Sequence, residues 1–211
     1  MKKIFLFFAA VAMTAGVMSA QDINQATEAY NNGAMELQMG NNAAAVENFK
    51  TALTMGEALG DEGADLVANC KKAISSAYLS MAKDLYNAKD FDGAVTAFQQ
   101  AKEVAEGYGE AEIAAEAGEL IGQTEMLKYN TAGKEAMKAK DYPTAIANFS
   151  KVLEMDPANG GVAIQLGQAY MRAGQLDESI AALETAKANG EEENAAKLLS
   201  NIYLKKAQAS S

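Results

Sequence analysis

The chain has 211 residues, with 18 basic against 28 acidic side chains and a formal net charge of -10. An acidic chain repels phosphate backbones and anionic lipid surfaces, which argues against nucleic acid or a membrane surface as a partner. Histidine is absent and Cys70 is the single cysteine, so most metal sites, catalytic triads and an intramolecular disulfide are excluded. We therefore expect no enzyme activity, no metal and no cofactor. Acidic clusters such as 191–193 are expected to be helix starts rather than calcium ligands.

The first 20 residues form a candidate leader. Two lysines precede an apolar run at 4–17, and Met18 and the small residues Ser19 and Ala20 follow it. These are the three parts of a secretory signal, and the apolar run is shorter than the roughly 20 residues of a membrane-spanning helix. We expect cleavage near Ala20, a mature chain from Gln21, and a periplasmic or secreted location in a bacterium, with no stable membrane span. Cleavage after Ser19 and an uncleaved anchor are the alternatives.

One pattern recurs four times after the leader. A short polar break is followed by a small residue and, four positions later, by a large apolar residue. The small residues are Ala45, Ala94, Ala145 and Ser179, and the large ones are Phe49, Phe98, Phe149 and Leu183. A second small residue precedes each copy by 12 positions, at Gly33, Ala82, Gly133 and Gly167. Small residues let two helices approach closely and the large ones fill the groove beside them, so each copy predicts a helix pair whose polar break supplies the turn and the cap.

The helix-pair pattern resembles the tetratricopeptide repeat family from about Ala26 to the end of the chain. The fourth copy adds the family-like stretch Leu166-Gly167-Gln168-Ala169-Tyr170. The resemblance implies an all-α, right-handed solenoid of antiparallel helix pairs. It also implies a non-catalytic protein that binds a partner protein or peptide on its concave face.

The spacing of the copies departs from the family period. Ala145 and Ser179 are 34 residues apart, whereas the two earlier intervals are 49 and 51 residues. We interpret the extra residues, at 61–76 and 110–127, as extensions of the first helices of the second and third repeats; a separate short helix in each place is the alternative. The predicted organisation is a single domain, 21–211, with repeats at about 24–59, 61–106, 108–156 and 160–189 and a C-terminal capping helix at 191–207.

The first helices are expected to line a partner-binding face. The candidate residues lie about one turn from the small residue of each copy: Tyr30, Leu79, Lys83, Tyr86, Asn87, Asn130, Lys134, Met137, Lys138, Gln168, Met171 and Arg172. Four of them are basic in a strongly acidic chain, which predicts a groove for an acidic or carboxylate-bearing peptide. Ordinary solvated lysines are the alternative interpretation. The family's carboxylate-clamp positions are not reproduced, so binding of chaperone tails is not implied.

These observations favour a scaffold or adaptor in the bacterial cell envelope. A self-associating structural protein is one alternative. An accessory protein that binds a small ligand or a glycan is another, and the absence of tryptophan weighs against it. The identity of the partner, the biological process and the oligomeric state stay open at the level of sequence.

Overall fold

The computed structural model describes residues 20–209, so the candidate leader at 1–19 and the last two residues lie outside the described part of the chain. Within 20–209 the chain forms nine α-helices and one short 3-10 turn, Gly60–Gly63, and no strand. The helices are α1 (Ala20–Gln38), α2 (Asn42–Ala58), α3 (Ala64–Asn87), α4 (Phe91–Tyr108), α5 (Ala111–Ala139), α6 (Tyr142–Met155), α7 (Gly160–Ala173), α8 (Leu176–Ala188) and α9 (Glu192–Ala209). The all-α helical repeat predicted from the sequence is confirmed.

The extra residues of the second and third repeats lengthen their first helices. α3 has 24 residues and α5 has 29, compared with 14 in α7. The alternative of a separate short α-helix at 61–76 or 110–127 is therefore wrong. The one departure is that α3 begins at Ala64, because Gly60–Gly63 forms the 3-10 turn just before it.

Three of the helix pairs are antiparallel hairpins with the same internal contact. A Cβ atom placed on Gly33 would lie 2.7 Å from the ring of Phe49, and these residues stand eight positions before and after Asn41. The same symmetry holds at the two later breaks, where the pairs are Gly133 with Phe149 and Gly167 with Leu183. The glycine of the first helix thus leaves the space that the large side chain of the second helix fills. Close approach at these small residues, predicted from the 12-residue offset, is confirmed.

The turns between paired helices use a left-handed residue. Glycine takes this conformation at Gly40 and Gly174, with φ of 80° and 82°. The second and third repeats place lysine there instead, Lys89 at 63° and Lys140 at 61°. A Cβ atom disfavours this region, so these two turns are strained in a way that the glycine turns are not.

Side-chain caps follow the breaks in two of the repeats. Asp90 accepts a hydrogen bond from the Gly93 backbone N–H at 3.0 Å, and Asp141 accepts one from Thr144 N–H at 3.2 Å. Asn41 makes no such cap, because its Nδ2 donates instead to Glu36 Oε2 at 2.8 Å. The predicted capping role is therefore confirmed for the two aspartates and wrong for Asn41.

The described chain forms two compact units, and the division falls within helices rather than between repeats. The first runs to Lys83 and includes Gln100–Ala117; its core packs α2 and α3 around Phe49, Cys70 and Ile74. The second comprises Asp84–Gln99 and the chain from Gly118 onward.

The second compact unit has two clusters of buried apolar side chains. One is built on Phe149 and Val152 of α6 with Leu166 of α7. The other joins Leu183 of α8 to Ile202 of α9, so the last helix covers apolar surface of the preceding repeat as the predicted capping helix should.

Candidate partner-binding groove

A groove of about 380 Å³ lies in the second compact unit between α5 and α7. Its lining residues come from α5 and α7, which are the first helices of the third and fourth repeats, and from α6: Lys134, Met137, Lys138, Phe149, Gln165, Gln168 and Arg172. Five of these seven belong to the partner-binding face expected from the sequence. The α5 residues are spaced by three and four positions, and those of α7 by three and seven, so each set occupies one face of its helix.

Phe149 forms the floor of this groove. Its side chain is fully buried, and the ring packs against Gly133 of α5. Because no Cβ atom intervenes at position 133, α5 lies close to α6, and Lys134 and Met137 follow directly at the groove wall. The packing element that builds the repeat therefore also positions the groove residues.

The groove is positively charged. Lys134, Lys138 and Arg172 are exposed, and among residues 20–209 no carboxylate lies within ion-pair distance of any of them. The lining holds no aspartate or glutamate, whereas the whole chain carries a net charge of -10. Two glutamines add amide donors and acceptors, and Met137 adds a flexible apolar contact.

Asn130 lies one helical turn before Lys134 on the same face of α5. It does not line the groove. Its Oδ1 is buried and has no hydrogen-bond partner within the described chain. A buried acceptor without a donor is costly in a folded protein.

The candidates of the first compact unit have partners inside the protein. Tyr30 packs against Phe49 with ring centroids 5.2 Å apart. Leu79 is buried at 5% exposure, so its side chain belongs to the core and not to an open face. Lys83 Nζ lies 2.7 Å from Glu116 Oε1, which balances its charge within the chain. Leu79, expected on the partner-binding face, is a core residue instead, whereas Lys83 forms an ion pair and its place on that face stays a prediction.

Three further candidates lie in the second compact unit but outside the groove. Tyr86 packs edge-on against Phe91 with ring centroids 6.1 Å apart. Asn87 is exposed at the end of α3. Met171 packs against the cluster that contains Leu183 and Ile202. The structure thus brings together Lys134, Met137, Lys138, Gln168 and Arg172 and leaves these three apart.

Sequence reasoning missed two of the lining residues. Gln165 lies two positions before Gly167, whereas the three candidates on α7, Gln168, Met171 and Arg172, all follow it. Its spacing of three and seven residues from Gln168 and Arg172 was a usable signal of a shared helix face. Phe149 was assigned to packing alone, which holds for its ring but omits its place beneath the groove.

Cys70 has the environment of a packing residue. Its side chain is fully buried, and burial raises the pKa of the thiol to about 11. A thiol in this state has little thiolate near neutral pH. Over residues 20–209, no group of three or more acidic, cysteine or histidine side chains is arranged to hold a metal ion.

No helix within the described residues is both long enough and apolar enough to cross a membrane.

Residues 136–202 match the family model described as tetratricopeptide repeat. The match covers α6, α7 and α8 with parts of α5 and α9, which is less than half of the chain. Six of the seven residues that line the groove fall within it. No curated protein sequence matches the chain.

Solved structures of tetratricopeptide repeat proteins are similar to the chain at low identity. The C-terminal tetratricopeptide-containing domain of a Plasmodium falciparum protein described as FK506-binding is 21% identical, with a TM-score of 0.41, over 68% of this chain and 95% of that one. The tetratricopeptide domain of P58(IPK) is 19% identical, with a TM-score of 0.39, over 89% of this chain and 56% of that one.

A third such structure is the TPR2AB domain of yeast Sti1 in a pHSP90 complex. It is 12% identical, with a TM-score of 0.38, over 89% of this chain and 86% of that one. By these comparisons the chain is similar to tetratricopeptide repeat proteins, and the family model matches it over the C-terminal helices that carry most of the groove.

Proposed function

We propose that the protein is a non-catalytic scaffold that holds an acidic segment of a partner protein in the groove between α5 and α7. The observation that carries this proposal is the set of three basic side chains, Lys134, Lys138 and Arg172, which share one groove without a carboxylate in its lining. A cationic patch in an acidic protein attracts carboxylates locally while the rest of the surface repels them.

The groove residues suit a peptide carboxylate by their chemistry. Arginine can hold a carboxylate through two parallel hydrogen bonds, and the lysines add point charges one helical turn apart. Gln165 and Gln168 can pair with backbone amides of the bound segment, and Met137 can contact its apolar side chains.

Binding of labelled peptide pools, followed by fluorescence anisotropy, tests the proposal. The wild type is expected to bind an Asp/Glu-rich pool more tightly than a Lys/Arg-rich or a neutral pool, and to lose affinity as salt is raised. The variant Lys134→Ala/Lys138→Ala/Arg172→Ala is expected to bind the acidic pool at least about tenfold more weakly, since about 1.4 kcal/mol corresponds to one decade and three charged contacts are removed.

The matched control for this experiment is Lys151→Ala/Lys187→Ala/Lys197→Ala. It removes the same charge from exposed positions outside the groove. It is expected to keep the affinity of the wild type within about twofold, because the charges that line the groove are unchanged. Equal binding by the groove variant and the wild type would show that these cations are ordinary surface side chains.

We also propose that the protein acts in the bacterial periplasm or outside the cell. Support comes from the leader pattern at 1–20, which has basic residues, an apolar run and small residues in secretory order. N-terminal sequencing of protein recovered from the periplasm tests this idea, with a start at or near Gln21 expected. A mature protein that keeps Met1 and stays in the cytoplasm would contradict it.

A further inference from the structure

The turns that follow α5 and α7 close with the same backbone hydrogen bond. Lys140 N–H donates to the Met137 carbonyl at 3.2 Å, and Gly174 N–H donates to the Met171 carbonyl at 3.3 Å. Both turns place a left-handed residue after the helix, with φ of 61° at Lys140 and 82° at Gly174. Glycine is the usual residue at such a place, because it has no Cβ atom to clash. The geometry of the turn therefore accounts for Gly174 and does not account for the lysine at position 140.

Lys140 lies next to the cationic end of the groove. Lys138 and Arg172 line the groove from the last turns of α5 and α7, whereas Gln165 lines it about two turns earlier on α7. Lys140 is just outside this lining, two positions after Lys138, and its backbone is bonded to that of Met137, which does line the groove. A lysine head on its flexible four-carbon stem can therefore reach a segment that leaves the groove at this end.

No ion pair within the described chain uses the charge of Lys140. The side chain is exposed, and among residues 20–209 no carboxylate lies within ion-pair distance of it. The adjacent carboxylate, that of Asp141, accepts a hydrogen bond from Thr144 N–H and caps α6. The strained lysine thus gives the fold no salt bridge in return, and strained backbone positions of this kind are found at sites that clamp ligands.

We propose that Lys140 binds the acidic partner segment where this segment leaves the groove past the end of α5. The inference rests on the proposed function and adds a fourth cation to it. The groove residues of α7 span seven positions, or about 10 Å of helix, which about three residues of an extended peptide would cover. The bound segment therefore carries a block of acidic residues longer than the groove, with its acidic end at Lys138, Arg172 and Lys140.

The left-handed turn makes this contact separable from stability. Lys140→Gly relieves the strain and removes the cation, so the variant is expected to be more stable and to bind more weakly. Lys89 provides a matched control. It has a φ of 63°, is exposed, and forms no ion pair within the described chain. Its N–H donates to the carbonyl of Tyr86, which does not line the groove.

Fluorescence anisotropy with two labelled peptide pools tests the proposal. One pool carries a block of about two consecutive Asp/Glu residues, which fits within the groove, and the other a block of about six, which extends past it. Lys140→Gly is expected to bind the long-block pool about threefold more weakly than the wild type and the short-block pool unchanged, because one exposed charge contact is lost. Lys89→Gly and Lys140→Arg are expected to bind both pools like the wild type.

Thermal unfolding of the same variants separates a lost contact from a damaged turn. Both glycine variants are expected to melt at a higher temperature than the wild type. Unchanged binding of the long-block pool by Lys140→Gly would overturn the inference, as would an equal loss for Lys89→Gly or Lys140→Arg, an equal loss on the short-block pool, or a loss accompanied by a lower melting temperature.

The groove variant Lys134→Ala/Lys138→Ala/Arg172→Ala distinguishes this inference from the function on which it rests. If that variant loses affinity while Lys140→Gly does not, the role of Lys140 fails and the acidic-segment groove stands. A wild type without preference for acidic peptides would overturn both.

Discussion

Gly133 of α5 lies so close to Phe149 of α6 that a Cβ atom at position 133 would be 2.6 Å from Cε1 of the ring. Real Cβ atoms do not approach other atoms this closely, so Gly133→Ala must displace the ring or the helix. We expect Gly133→Ala to lower the free energy of unfolding by about 1–3 kcal/mol, as overpacking does in a close-packed core. Urea titration followed by circular dichroism measures this loss.

The control for Gly133→Ala lies on the same helix. A Cβ atom on Gly122 would meet nothing within 4 Å. Gly122→Ala is expected to raise the free energy of unfolding by about 0.5–1 kcal/mol, because alanine is the better helix former. If both substitutions changed stability alike, the contact at position 133 would not be the cause.

Removal of the Phe149 ring is expected to lower the unfolding free energy more than Gly133→Ala does, since the latter only crowds the ring. Phe149→Ala leaves a cavity beneath the groove, and such truncations of buried aromatic residues cost about 3–5 kcal/mol of unfolding free energy. Phe98 is equally buried and holds the corresponding place in the second repeat, so Phe98→Ala should lose a similar amount. Denaturant unfolding checks both, and a loss below about 1 kcal/mol would contradict the packing described.

The left-handed lysine turns predict a stabilising substitution. Lys140 has a φ of 61°, a conformation that costs a residue with a Cβ atom about 1–2 kcal/mol. Lys140→Gly removes that cost and adds the entropy cost of glycine, so we expect a net gain of about 0.5–1 kcal/mol in unfolding free energy. Thermal unfolding at matched protein concentration measures the change.

The matched control for Lys140→Gly is Ala147→Gly, at an exposed position inside α6. Helical φ there gives glycine no advantage, and a loss of about 1 kcal/mol is expected. A loss at both positions would mean that the φ of Lys140 is not strained.

Burial of Cys70 predicts a dependence of stability on alkaline pH. The pKa of the thiol is about 11 in the folded chain, raised by burial from the ordinary thiol value of 9.0. The folded state therefore holds the proton more tightly, and the resulting stability is fully present below about pH 9 and is lost as the pH rises towards about 11. The fall in unfolding free energy between pH 8 and pH 10.5 should be smaller in Cys70→Ala than in the wild type.

Thiol modification provides a second measurement on Cys70. A disulfide reagent at pH 8 is expected to leave the native protein unmodified and to label it fully once denaturant is added, because the side chain is inaccessible in the fold. Rapid labelling of native protein would show that this part of the core opens. A Cys70→Ala variant, which has no thiol, is the control for both the pH dependence and the labelling.

The repeat could be predicted from the sequence because its constraints are local. Gly133, Ala145 and Phe149 are fixed in spacing by one turn and two helices, so their pattern reports the packing directly. The long first helices could also be predicted, since no proline or polar break interrupts them, although α5 carries the internal glycines Gly118, Gly122 and Gly133. The 3-10 turn at Gly60–Gly63 was not, because its glycines also suit a longer loop.

The groove could be predicted only in part, because accessibility depends on neighbours far apart in sequence. Lys83 and Lys134 each follow the small residue of their repeat directly. Glu116, 33 positions after Lys83, balances the charge of Lys83, whereas Lys134 has no such partner in the described chain. No local pattern encodes that pairing. Gln165 was missed because it lines the groove from the face of α7 that is turned towards α5. Its position within the repeat does not indicate that orientation.

Ser179 holds the place that alanine takes in the other repeats, and its Oγ donates a 2.6 Å hydrogen bond to the Gly167 carbonyl within the same helix pair. The buried hydroxyl is therefore satisfied by the α7–α8 pair itself. A gene duplication or deletion that moved this pair as a block would leave no orphaned polar group behind. Replacement of α8 alone would separate the serine from its acceptor, so the helix pair, and not the single helix, is the unit that can be exchanged without leaving this hydroxyl unsatisfied.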